Sequence, residues 1–575
     1  MLTSKKAGLG LAVALHLSVA TFASGALAHE TRKTELFNPG VTFSDDEPAP
    51  TGVSGVPRLY EGLGERTFPV TTASAEAQAY VDQGVALTWA FNHAEAVRAF
   101  RQAQVLDPDC AMCFWGEAFA LGQNINDGMR PEAIAPAWAA ITRALELSGK
   151  ATARERDLIA ALAKRYSPDA DADRRSLNAA WADAMREVAA KYKSDVDMQV
   201  LFADALMNLQ PWDYWEADGT TPKGIGGELV ATLEAALAVD PDHPAADHLY
   251  IHAMEASAHP EKAEPYADRL RSAVPAAGHL VHMPAHIYVR VGRYMDALEV
   301  NRDAIAADEK LLGQIGDQAS PIYRFGYYPH NVHFLMISAQ LAGSKQDVLS
   351  AAEKLGTITS DEVSAELAWV QAIKTAPYTA HAQFSEPETI LALPDPGDTF
   401  PMVKGYWHYA RGVAFARAGK HDAAAAEAAA IQSLIDTADF TGVEEQYLPA
   451  RDLLGIARHV IAARVEQAKG NFEAAEQDLR IAVALQDGLP YMEPPYWYYP
   501  VRQSLGGVLM QQGKAADAVE VFRQALAQQP RNGWALWGLL KAEEAAGAKD
   551  GAATTAAAFE KAWVGDRTLL TYDRL

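Results

Sequence analysis

From about Ser74 onward, apolar residues recur every three or four positions in Ala-rich runs, broken at intervals of about 30 to 40 residues. That period gathers apolar side chains on one face of an α-helix, so the predicted class is all-α. Before it, from His29 to about Val70, Pro, Gly and acidic residues alternate without a helical period. This reads as an extended arm laid over a surface. Other irregular stretches interrupt the helices at 124–131, 210–227, 383–400 and 491–500. The last of these, Tyr491-Met492-Glu493-Pro494-Pro495-Tyr496-Trp497-Tyr498-Tyr499-Pro500, holds too many prolines for a helix interior. Its aromatic rings suit either packing against an inner groove or a ligand wall. The expected organisation is a leader over 1–28, an arm over 29–73, a helical array over 74–382, a connection over 383–400 and a second array over 401–575.

The breaks are regular enough to set units in register. In 76–109, Gly84 and Leu87 fall in a first helix, Ala96, Phe100 and Ala103 in a second, and Asp107-Pro108 ends the unit. Related patterns return at 278–309, 404–435, 461–487 and 499–530, with a degenerate copy at 532–564. The small residues allow neighbouring helices to approach closely. These motifs resemble the tetratricopeptide repeat, a helix–turn–helix unit of about 34 residues. The chain is similar to exported bacterial tetratricopeptide-repeat (TPR) proteins with a histidine-rich central section. The resemblance implies a right-handed solenoid of antiparallel helix pairs whose first helices line a concave groove. It implies no particular activity, because such arrays host many.

Composition narrows the partners. A formal net charge of −24 argues against nucleic acid, which needs clustered Lys and Arg. Lys5 and Lys6, the apolar run 7–20 and Ala26-Leu27-Ala28 read as a cleavable export signal, and a periplasmic or secreted location is expected. After cleavage no stretch is long and apolar enough to span a bilayer. Both cysteines, Cys110 and Cys113, form one C-x-x-C. In an oxidising compartment a disulfide is the simpler reading, a thiol metal site or redox pair the sharper one.

The candidate chemistry lies in the histidines. Nine of 16 fall between His243 and His333. With Ala263, Ala297 and Val348 as anchors in successive second helices, the fifteenth residue upstream is His248, His282 and His333. The eleventh is His252, His286 and Ile337, and the eighteenth is Ala245, His279 and His330. Glu255, eight before Ala263, joins the same stripe. The equivalent fifteenth positions elsewhere are Val81, Tyr409 and Gln503, so the histidines belong to three consecutive units. His243 and His259 fall near turns and read as caps or surface residues.

Eight ligand-type residues in one register (His248, His252, Glu255, His279, His282, His286, His330 and His333) point to a transition-metal site on the concave face. A single buried histidine is ordinarily a hydrogen-bonded core residue, but several together leave many ring nitrogens in need of partners. Copper, zinc or iron suits the donors, and eight candidates exceed one tetrahedral site. Glu255 is expected as a ligand or as the general base of a metal-dependent oxidoreductase or hydrolase. Asp247 and Asn331 are candidates to orient the histidines, and Tyr327 and Tyr328 to serve as donors or a redox-active phenol. The alternatives are a scaffold whose groove takes a peptide, a small molecule or a partner protein, and a protein that stores or delivers metal.

Overall fold

The computed structural model describes residues 57–575. The export signal and the first part of the arm lie outside the described residues. Residues 57–73 run extended along the first helix: the Tyr80 hydroxyl donates to the Pro57 carbonyl (2.7 Å), and the Phe68 amide donates to Asp82 Oδ1 (2.7 Å).

The described chain is an all-α, TPR-like solenoid, built from helix pairs such as Ala75–Trp89 with His93–Leu106 and Val501–Gln511 with Ala515–Gln528. The packing device is visible in both. Phe100, fully buried in the second helix of its unit, lies between Gly84 and Gly116, where a Cβ would overlap its ring. Phe522 repeats this arrangement between Gly506 and Gly538. A large ring on one helix thus fits the bare backbone of the first helices on either side.

Two interruptions matter for the site. The unit expected over 278–309 has its first helix divided into Gly278–His282 and Pro284–Val291. Pro284 has no N–H to donate and crowds the preceding turn, so the helix restarts there. The helix Tyr328–Ala342 is entered through a π turn over Tyr323–Tyr327. Residues 383–400 finish the helix Ala368–Phe384, form the short helix Pro387–Leu391 and end at Phe400, which caps the helix Pro401–Arg417.

The array curls until its C-terminal repeats meet its middle. Trp534 Nε1 donates to the Gln340 carbonyl (2.8 Å), the Val564 amide to Ala342 (3.0 Å), and the Tyr294 hydroxyl to Pro530 (2.7 Å). This closure carries the 491–500 segment onto the inner face of the histidine helices. Trp497, Tyr498 and Tyr499 are buried, Trp497 against Tyr406 and Tyr409 of the helix Pro401–Arg417, and the Tyr498 and Tyr409 hydroxyls are 2.7 Å apart. Among the described residues no helix is long and apolar enough to cross a membrane.

Candidate metal centre

The histidine helices are Pro244–Met254, Gly278–His282, Pro284–Val291 and Tyr328–Ala342. Spacings of three and four residues put each pair on one helical face. Packing these helices together sorts six imidazoles into two triads, His248 with His252 and His279, and His282 with His286 and His330; within each, one ring nitrogen per residue lies within 4.8 Å of the others. His333 belongs to neither triad but lines the adjoining cleft.

Hydrogen bonds at the far side of the rings fix the tautomers. Glu255, fully buried just after Met254, accepts from His252 Nδ1 through Oε1 (2.7 Å) and from His286 Nδ1 through Oε2 (2.6 Å). One carboxylate therefore serves both triads, and each of its oxygens is engaged by an imidazole. His282 Nδ1 donates to Asn301 Oδ1 (2.7 Å), whose amide nitrogen donates to the Ala297 carbonyl (2.7 Å). With Nδ1 carrying the proton, the Nε2 atoms of His252, His282 and His286 present lone pairs whenever the rings carry no second proton. His282 Nε2 and His286 Nε2 are 2.8 Å apart, and His279 Nε2 and His248 Nε2 are 3.2 Å apart. His252 Nε2 is buried with no hydrogen-bond partner among the described residues.

For neutral His282 and His286, two lone pairs that close repel unless a cation lies between them; the Nδ1 atoms of His248 and His279 have no hydrogen-bond partner among the described residues, so one of those rings can donate its Nε2–H to the other. A shared proton would answer for one pair. A metal with nitrogen ligands at about 2.0–2.1 Å spaces them about 2.9–3.4 Å apart at right-angled to tetrahedral bond angles, near the separations seen.

Each triad is walled by a phenyl ring. Phe91 lies 4.7 Å from His248, 5.0 Å from His279 and 6.0 Å from His252, centroid to centroid. Phe334 lies 4.7 Å from His282, 4.6 Å from His286 and 5.0 Å from His330. Phe91 holds a left-handed backbone conformation (φ 55°), unfavourable for a bulky residue, and sits in the turn of the first repeat. Tyr327, at the end of the π turn, brings its ring to 5.1 Å from His279.

Other sequence candidates sit elsewhere. The Tyr328 hydroxyl donates to Glu309 (2.8 Å), and Asn331 donates to Asp308 (2.7 Å) rather than to a histidine. Burial raises Asp247 to about 8, and its carboxylate makes no bond to a histidine among the described residues. The orienting partners are Glu255 and Asn301. Asn301 was findable: it is a polar residue on the otherwise apolar face of its helix, four after Ala297. His243 caps its helix and pairs with Asp197 (3.0 Å), while exposed His259 meets Glu261 (3.2 Å). Cys110 and Cys113 are bonded to each other, which removes their thiolates as ligands.

The triads open on a cleft of about 1430 Å³, its mouth included. His252, His279, His286, His330 and His333 form part of its wall. Trp212 and Trp215 come from the 210–227 loop, Trp369 from the helix Ala368–Phe384, and Tyr491 to Tyr496 from the inner segment. The Tyr491 hydroxyl lies 2.8 Å from Glu493 Oε1 and 3.3 Å from Glu255 Oε2, tying this wall to the bridging carboxylate.

Burial, and then the neighbouring imidazoles, hold His248, His279, His282 and His330 well below the usual histidine range. Burial also lowers His252 despite its bond to Glu255, and lowers His333 from 6.5 to about 4. For Glu255, burial works the other way, but His286 and the two Nδ1 donors outweigh it and hold the carboxyl at about 2. A histidine lowered in this way stays neutral in the native chain while the unfolded chain takes up a proton. Stability therefore rises with pH across the interval and is lost as pH falls. Chelator-treated protein is expected to weaken between about 6.5 and about 4, the limits set by His333, by about 1–3 kcal/mol for that residue alone. Urea midpoints at stepped pH check this, and a flat profile contradicts it.

No family model matches the chain, and no curated protein matches it. Among solved structures it is similar to the human IFIT1 dimer with PPP-AAAA, at 11% identity, with 85% of this chain and 91% of that chain covered and a TM-score of 0.28. Yeast Tom70 gives 12% identity, 83% and 90% coverage and a TM-score of 0.23. The TPR domain of P58(IPK) gives 14% identity, 65% and 95% coverage and a TM-score of 0.19. At such TM-scores the likeness carries no argument about what this chain binds, and the site is read from its own chemistry.

Proposed function

We propose that the protein is an exported metalloprotein whose two histidine triads each hold a transition-metal ion beside a ligand cleft. The observation that carries this reading is the set of fixed tautomers. Glu255 and Asn301 engage the Nδ1 protons of His252, His282 and His286, and the Nε2 atoms of His282 and His286 converge at a distance that suits a shared cation. The carboxylate–imidazole pairing that orients metal-bound histidines has this form. All-imidazole donor sets suit copper or zinc; the common iron site includes a carboxylate ligand, and here Glu255 is engaged on both oxygens. Glu255 is accordingly a positioning residue and not a free base. Bound metal would supply Lewis acidity or, for copper, electron transfer, and the cleft gives a ligand access to it. Two triads beside one cleft favour a catalytic or ligand-binding centre over simple storage.

A peptide-binding scaffold is the other reading of a TPR-like array. Residues 491–496 form one wall of the cleft, so an extended peptide would have to share the cleft with them.

Cobalt titration of chelator-stripped protein separates these readings. Two equivalents are expected to bind. His252→Ala should lose one and His286→Ala the other, while His259→Ala keeps both. Uptake that is absent, or indifferent to His252 and His286, removes the metal reading.

A further inference from the structure

The cleft walls say what kind of ligand reaches the triads. Three indoles, Trp212, Trp215 and Trp369, and the phenol rings of Tyr491 and Tyr496 face it. Aromatic faces carry partial negative charge and attract cations. Two carboxylates, Glu216 and Glu493, share the wall, and among the described residues no lysine or arginine lines it. Arg290, stacked 5.5 Å from the Tyr491 ring centroid, is not among the lining residues.

Glu493 is the informative group. It is 8% exposed, and Oε1 accepts from the Tyr491 hydroxyl (2.8 Å), whereas buried Oε2 has no hydrogen-bond partner among the described residues. An unpaired buried carboxylate oxygen is costly, and a cationic donor removes that cost. Burial raises the Glu493 carboxyl to about 7, although the charge of nearby Arg290 works against it.

We infer that the cleft binds a small organic ammonium ligand, its cationic end held by Glu493 and Glu216 and boxed by Trp212, Trp215, Trp369 and Tyr491. This deepens the metal reading and rests on it for the cleft being the access to the metal ions, but the binding residues are different. An anion would meet two carboxylates and no lysine or arginine among the described residues of these walls, whose imidazoles belong to the triad side of the cleft. A neutral apolar molecule would leave Glu493 Oε2 unpaired.

The test is calorimetric titration of full-length protein, metal-free and zinc-loaded, with phenyltrimethylammonium, with N,N-dimethylaniline above neutral pH as the uncharged analogue, and with benzoate. The cation is expected to bind roughly tenfold or more tightly than its uncharged analogue. Glu493→Gln should weaken the cation about tenfold and leave the neutral probe unchanged, with the melting curve retained. Glu216→Gln, at a half-buried position, is the second variant should the first not fold, and should weaken the cation by about threefold. Equal binding of the two amines, preference for benzoate, no binding in either metal state, or a variant that folds without effect overturns the inference. Zinc content of the same samples keeps the two ideas apart. Zinc uptake without cation binding sinks this inference alone, and cation binding without zinc uptake sinks the metal reading alone.

Discussion

Glu255→Ala is expected to weaken both histidine triads at once, an effect no single histidine substitution should reproduce. The carboxylate accepts from His252 in one triad and His286 in the other. Removing it leaves two buried Nδ1–H groups unpaired and frees both rings to turn or change tautomer. Loss of such orienting partners lowers metal affinity about 10- to 100-fold. Breaking a buried carboxylate–imidazole network should also cost about 3–5 kcal/mol of stability. Glu255→Gln gives the sharper result. Its carbonyl oxygen can accept one Nδ1–H, but its NH₂ faces the other imidazole and forces the opposite tautomer. One equivalent of metal should stay tight and the other become weak. A merely structural role for Glu255 would instead lower both together with stability. Paired metal titrations and urea curves distinguish these outcomes.

The second large effect is expected far along the chain, at Trp534. Its indole is fully buried, packs edge-on against Phe384 (5.7 Å) and Trp563 (4.9 Å), and donates to the Gln340 carbonyl. Gln340 lies on the helix that carries His330 and His333. Trp534→Ala should cost about 3–5 kcal/mol through the cavity and the lost bond. It should also increase amide exchange around Gln340 and over 533–564, where the closure is made. The triad containing His330 should loosen, and the His248 triad should keep its affinity. Trp534→Phe keeps most of the packing and should cost about 1 kcal/mol, near the worth of the hydrogen bond. Equal exchange in Trp534→Ala and the parent would refute the closure as a structural link.

Much of this was legible in sequence because it is local. The anchors Ala263, Ala297 and Val348 put seven histidines and Glu255 on one stripe, and six of those histidines form the two triads. The register could not show how they divide. His330 and His333 are three residues apart, about 300° of helical turn, so they lie on neighbouring lines of the helix and only His330 reaches a triad. The break at Pro284 and the π turn before Tyr328 also alter how these helices meet.

What the sequence hid is non-local. Phe91 reaches the first triad from the first repeat. Tyr491 reaches Glu255 across 236 residues, because the array closes on itself. No periodicity within one unit reports that closure. The segment 491–500 suits either packing or a wall, and it does both: Trp497 and Tyr499 pack in the core, Tyr491, Glu493 and Tyr496 line the cleft, and buried Tyr498 reaches both.

The central claim is that this chain holds two metal ions on six imidazoles. The most direct measurement is elemental analysis of protein purified from its native host without an affinity tag. The account predicts about two copper or zinc ions per chain, reduced to about one by His252→Ala or by His286→Ala. Protein that carries no transition metal, and takes up none when copper or zinc is supplied, would contradict it.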